Sequence, residues 1–153
     1  MKIMQTDKNV KNDINKEIRK EKKKKINLCK NQTPMPVLPP EQRIKSFDEV
    51  EIGYDSESAK NEALRCLNCV NKPCVSMCPV KVNIPDFINC ICHGDLEQAY
   101  SILCESNALP AVCGRVCPQE KQCQMACVRG KNGDPVAIGK LERYVADSQQ
   151  KAI

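Results

Sequence analysis

The chain has 153 residues, of which 41% are hydrophobic and 3% aromatic, with no Trp. This length allows one domain with an appendage and excludes an enzyme with two nucleotide-binding units. The scarcity of large rings implies that something besides aromatic packing holds the core together. The formal net charge of +5 is carried by residues 1–30, where eleven Lys and Arg face four Asp and Glu for a net +7; the remainder has thirteen against fifteen, net −2.

Residues 1–30 are polar and include the run Lys22 to Lys25, so too little apolar surface is present to offset chain entropy, and a disordered basic tail is expected. The tail has no Phe, Tyr or Trp on which bases could stack, which argues for a solvated arm rather than a nucleic-acid reader. It also lacks the apolar stretch of a secretory leader, and no run approaches the roughly 18 apolar residues of a membrane span. A cytoplasmic setting is expected, where thiols stay reduced and dense cysteine binds metal rather than forming disulfides. Pro34, Pro36, Pro39 and Pro40 mark residues 31–46 as an extended linker, leaving residues 47–150 as the folded module.

Within that module Asp55 and Ser56 are N-cap candidates for a helix through Ala59, Ala63, Leu64 and Leu67, delivering the chain to Cys66. Cys66 to Pro79 reads as loop, broken by Pro73 and Pro79. Pro85 suits the first turn of a second helix over Phe87, Ile88 and Ile91, closed by Gly94. Asp95, with Gln98 three residues on, opens a third over Ala99, Ile102 and Leu103, ended by Leu109 and Pro110. Pro118 can start a fourth with Cys123 and Cys127 on one face. The last should run from Ile138 to about Ser148 with Leu141 and Val145 inward. No segment alternates with period two, so the expected fold is all-α.

The most informative residue is cysteine, with twelve in the chain. Cys66-x2-Cys69-x4-Cys74-x3-Cys78-Pro79 matches the C-x2-C-x2-C-x3-C-P run that holds 4Fe-4S clusters in bacterial ferredoxins, with the middle gap widened by two. In such runs the fourth Cys serves a second cluster, so partners must come from elsewhere in the chain. Cys113-x3-Cys117-Pro118-x4-Cys123-x3-Cys127 supplies them, and by spacing alone four plus four thiolates could hold two clusters. Zinc is the alternative, since two all-thiolate tetrahedral sites would use the same residues in a structural or interaction module. The second group lacks the C-x2-C that zinc ribbons supply twice, which favours iron and sulfur. Glu142 falls at the edge of the last helix's apolar stripe, where periodicity favours a solvent pairing with Lys140 or Arg143 over burial.

These residues, together with Val82-Asn83-Ile84-Pro85, Cys113-Gly114-Arg115-Val116-Cys117-Pro118 and Ile138-Gly139-Lys140-Leu141-Glu142-Arg143, carry a resemblance. The chain from Pro34 to about Gln149 resembles the N-terminal iron-sulfur domain of the glutamate synthase small subunit and dihydropyrimidine dehydrogenase family. The resemblance implies a helical ferredoxin-like fold with two 4Fe-4S clusters and interleaved ligands: Cys66, Cys69, Cys74 and Cys127 for one, Cys78, Cys117, Cys123 and Glu142 for the other. Cys113 then drops out of the spacing-only set and an oxygen ligand enters. Cys29, Cys90, Cys92 and Cys104 remain, and core packing is the expectation for the last three.

In that family, flavin and NAD(P)H domains follow, each announced by a Gly-rich phosphate loop. The six glycines of this chain never form G-x-G-x-x-G, and the lone His93 has no orienting partner that would make it a base. The expected role is therefore an oxidoreductase component without its own FAD or NADPH site. It would pass electrons between a flavoprotein and a second redox subunit, such as the glutamate synthase large subunit.

Overall fold

The computed structural model describes residues 25–150; of the tail expected to be disordered, residues 1–24 lie outside them, whereas Asn27, Cys29 and Lys30 are hydrogen-bonded to the rest of the chain. Seven α-helices follow in order: α1 Pro40–Arg43, α2 Ser56–Ala63, α3 Pro73–Met77, α4 Ile84–His93, α5 Leu96–Cys104, α6 Pro110–Val116 and α7 Ile138–Gln150. Short 3-10 turns cover Gln119–Lys121 and Val128–Lys131. Among the described residues the only β pairing is one antiparallel bridge between Val37 and Glu51. The expected all-α class is the observed one.

The helix signals act through identifiable contacts. The Asp55 carboxylate accepts the Ser58 N–H at 2.7 Å and that of Asp95 accepts Gln98 N–H at 3.0 Å, each capping orphan donors of a first turn. Gly94 closes α4 with φ of 80°, a left-handed angle that glycine adopts without steric cost. Proline behaves differently from the expectation at three places, one being Pro40, which opens α1 inside the stretch expected to be an extended linker. Pro73 and Pro110, read as a breaker and a terminator, each open a helix, because a ring-locked φ and a missing N–H suit the first helical turn.

Helix α7 is the spine: it packs against α6, α5, α2 and α4, while α4 also packs on α5 and α2. Ala59, Ala63, Phe87, Ile88, Leu103, Leu141 and Val145 are buried between these helices. Beneath α2 lies a buried ion pair, Arg65 Nη1 to Glu62 Oε1 at 2.6 Å, with both side chains 0% exposed. Its remaining valences tie the chain together. Arg65 donates to the carbonyls of Cys29, Lys30, Asp134 and Pro135, and Glu62 accepts the N–H groups of Thr33 and Ala137. Tyr54 adds a hydroxyl bond to the Thr33 carbonyl. Residues 29–33 thus lie against the helices and are fixed to them by hydrogen bonds.

A candidate iron-sulfur centre

The cysteine spacing becomes a three-dimensional arrangement through short connectors. After α2 the backbone turns left-handed at Asn68, between Cys69 and Cys66, and again at Lys72, between Cys69 and Cys74, with φ of 49° and 40°. These are angles that side chains with a Cβ seldom adopt, and here they bring Cys66, Cys69 and Cys74 to the wall of one cavity. The Lys72 ammonium compensates by bonding Asn83 Oδ1 at 2.9 Å and both oxygens of Asp86, pinning the loop to the start of α4. Helix α3 then carries Cys74 at one end and delivers the chain to Cys78 beyond the other.

Cys66, Cys69, Cys74 and Cys127 line one cavity, together with Pro73, Pro85 and Val136. Cys78, Cys117, Cys123 and Glu142 line a second, with Cys113, Asn107 and Gln122 also in its wall. The structure therefore brings together each of the two sets implied by the resemblance. Pro85 faces the first cavity and its neighbour Ile84 the second; Val136 and Ile138 divide in the same way. The two cavities are separated at those points by little more than one strand of backbone.

Cys123 and Cys127 do not share a helical face. No α-helix follows Pro118: the 3-10 turn Gln119–Lys121 ends at Gln122, whose φ of −127° and ψ of −112° leave the helical region. The Gln119 carbonyl takes both the Gln122 and Gln124 N–H groups, so the regular ladder cannot propagate. The break sends Cys123 to the second cavity and Cys127 to the first, whereas a helix would have aimed both at one.

Glu142 is the other correction. It is 8% exposed, and its partner is neither Lys140 nor Arg143 but Asn107, whose Nδ2 donates to Glu142 Oε1 at 2.7 Å. Arg143 instead points to the far side of α7, pairing with Glu49, Glu51 and Asp147. Burial pushes the Glu142 carboxyl up to about 7, an effect the Asn107 bond opposes. Among the described residues no hydrogen bond engages its second oxygen. Asn107 itself was not flagged by any pattern in the sequence. Of the leftover cysteines, Cys92 is buried and Cys90 half-buried as expected, but Cys104 is exposed because it ends α5 on its outer side.

The donor sets suit a polynuclear cluster. Each cavity presents four thiols, Cys113 being the fourth in the second, and the second adds the Glu142 carboxylate. Burial pushes the Cys74 thiol up to about 11 and Cys123 to about 12, and raises Cys117 by the same cause. Without a counter-charge these thiols stay protonated at neutral pH, so taking up a cationic group releases their protons. The Val136 N–H lies 3.5 Å from Cys127 Sγ, and Cys117 Sγ donates to Gln122 Oε1 at 3.0 Å.

Comparison with known proteins places the chain in a 4Fe-4S family. Residues 43–153 match the family described as dihydropyrimidine dehydrogenase domain II, 4Fe-4S cluster. The chain is 41% identical over 105 residues to the NAD-dependent dihydropyrimidine dehydrogenase subunit PreT of Escherichia coli, covering 69% of this chain and 26% of that protein. It is 36% identical over 110 residues to the glutamate synthase [NADPH] small chain of Halomonas elongata, covering 72% and 23% respectively. The corresponding chain of Azospirillum brasilense is 36% identical over 111 residues, with 72% and 23% covered. The matched region spans about a quarter of the length of each of these relatives. No helix among the described residues is long and apolar enough to cross a membrane.

Proposed function

The chain belongs to the dihydropyrimidine dehydrogenase domain II, 4Fe-4S cluster family, and from that premise we propose that it holds two such clusters and relays electrons between a flavoprotein and a second redox subunit. The observation that carries this reading is the partition of the thiols: Cys66, Cys69, Cys74 and Cys127 line one cavity, and Cys78, Cys117, Cys123 and Glu142 the other. When bound, a 4Fe-4S cluster supplies reversible one-electron storage at a potential set by its ligands and surroundings. The protein's part is to bind and orient. Left-handed turns at Asn68 and Lys72 hold the first thiols in place, α3 bridges the sites, and Ile84, Pro85, Val136 and Ile138 keep them close and shield them from water.

The partner proposed is a protein carrying FAD and NAD(P)H sites, as a separate subunit or a further domain. The glutamate synthase small chains and PreT relatives support an oxidoreductase setting of this kind. The test is an anaerobic reductive titration of the loaded chain with photoreduced free FAD as the electron source. Uptake of about two electrons per chain, returned on mild oxidation, is expected from two clusters. Failure of reduced flavin to transfer any electrons to an iron-loaded chain would contradict the relay.

A further inference from the structure

Glu142 is held in its cavity by one side chain. Asn107, 6% exposed, donates from Nδ2 to Glu142 Oε1 at 2.7 Å, while its Oδ1 accepts the Leu109 N–H at 3.0 Å and the Cys113 thiol at 3.5 Å. Asn107, Cys113 and Glu142 all line the cavity of Cys78, Cys117 and Cys123. Five donors therefore surround a place where a cubane takes four. The two that compete for the last position, the Cys113 sulfur and the Glu142 oxygen, are both bonded to the same amide.

We propose, resting on the two-cluster reading, that Asn107 is a positioning residue that assigns the last ligand position to the Glu142 oxygen and keeps Cys113 out of it. The amide has one donor end and one acceptor end. Its NH2 matches a carboxylate, which has only acceptors, and its carbonyl matches a thiol, which offers a hydrogen. The Leu109 N–H at the start of α6 fixes which end is which, since a flipped amide would place NH2 against that donor and a carbonyl against Glu142. One Glu142 oxygen is thereby tied, the other left for the cavity, and the Cys113 thiol is turned toward the amide.

In Asn107→Leu all three bonds are lost with bulk retained. Cys113 can then replace Glu142: an iron–oxygen bond breaks, an iron–sulfur bond forms, and the thiol proton passes to the released Glu142 carboxylate, so the site's charge is unchanged. Anaerobically reconstituted wild type, Asn107→Leu, Cys113→Ser and the double variant would be compared by iron and sulfide content, by electron paramagnetic resonance after reduction, and by redox titration. The site of Cys66, Cys69, Cys74 and Cys127 serves as the internal control of folding.

Cys113→Ser alone should leave spectrum and potentials as in wild type. Asn107→Leu should keep about eight iron per chain but shift the g values and potential of one cluster only, and the double variant should fall to about four. A wild-type spectrum in Asn107→Leu, or loss of that cluster with Cys113 still present, would overturn the assignment. Should Asn107→Leu lose both clusters, Asn107→Asp decides, since it keeps the bonds to Leu109 and Cys113 and replaces the donor to Glu142 by a repelling carboxylate oxygen. An unshifted cluster in that variant would equally overturn it. Wild-type chain that binds no iron would instead contradict the underlying reading, before any variant is compared.

Discussion

At the scale of single residues, the proposed ligands divide into those whose role is local and those whose role depends on contacts far along the chain. Cys66, Cys69, Cys74 and Cys78 stand out in the sequence because clusters take neighbouring thiols at fixed short spacings, and the structure places them on the two cavity walls. Glu142 does not, since helical periodicity places it at a stripe edge, and only the approach of Asn107, 35 residues away, makes it a buried acceptor. Substituting any of Cys66, Cys69, Cys74 or Cys127 by Ser should lower iron from about eight to about four per chain and remove one set of reduced-cluster signals. The same change at Cys78, Cys117 or Cys123 should remove the other set. Loss of both from a single substitution would mean that the cavities are not independent sites.

The thiols also make a prediction about pH. Burial holds Cys74 and Cys123 above the ordinary thiol value of 9.0, at about 11 and about 12, so the folded metal-free chain keeps protons that the unfolded chain releases. A group raised on folding contributes stability that is present below its unfolded value and lost as pH rises through its folded one. Melting temperature of the metal-free chain should therefore fall as pH climbs above 9.0 toward these values. A flat profile across that window would show that the thiols are not buried as described. Loaded chain, with the same sulfurs bound as thiolates, should show a weaker dependence there.

At the scale of elements, the caps at Asp55 and Asp95 and the glycine stop at Gly94 were legible, since each rule acts within four residues. The prolines were ambiguous: the same ring that ends a helix also begins one, and nothing nearby distinguishes Pro73 and Pro110 from true breakers. The pairing of α6 with α7 was beyond local reading. A Cβ added at Gly114 would lie 2.7 Å from the Arg143 backbone nitrogen and 2.9 Å from its Cα, so these helices meet backbone to backbone. Gly114→Ala should force them apart at a cost of about 1–3 kcal/mol, read as a lower melting temperature. Because Cys117 follows directly on α6 and Glu142 lies on α7, the same change should disturb the second cluster more than the first. Equal disturbance of both would contradict the placement of α6.

At the scale of the whole molecule, the small core is organised about the Glu62–Arg65 pair, which joins residues 29–33, α2 and the 134–137 segment. Sequence gave no warning of it, because its partners lie 29 to 75 residues away. The prolines between 34 and 40 signalled an extended path without revealing that the residues just before them are bonded to the helices. Arg65→Ala leaves a buried carboxylate unpaired and should cost about 3–5 kcal/mol, measured by denaturant unfolding. A loss under about 1 kcal/mol would show that the hub is dispensable.

Whether the two cavities hold two 4Fe-4S clusters is decided by anaerobic iron, sulfide and zinc analysis of the purified chain beside the spectrum of its reduced form. About eight iron and eight sulfide per chain, with reduced-cluster signals and little zinc, is the predicted result. Stoichiometric zinc without iron or sulfide, in a colourless protein, would contradict it and leave the thiols as the staples of a small helical scaffold.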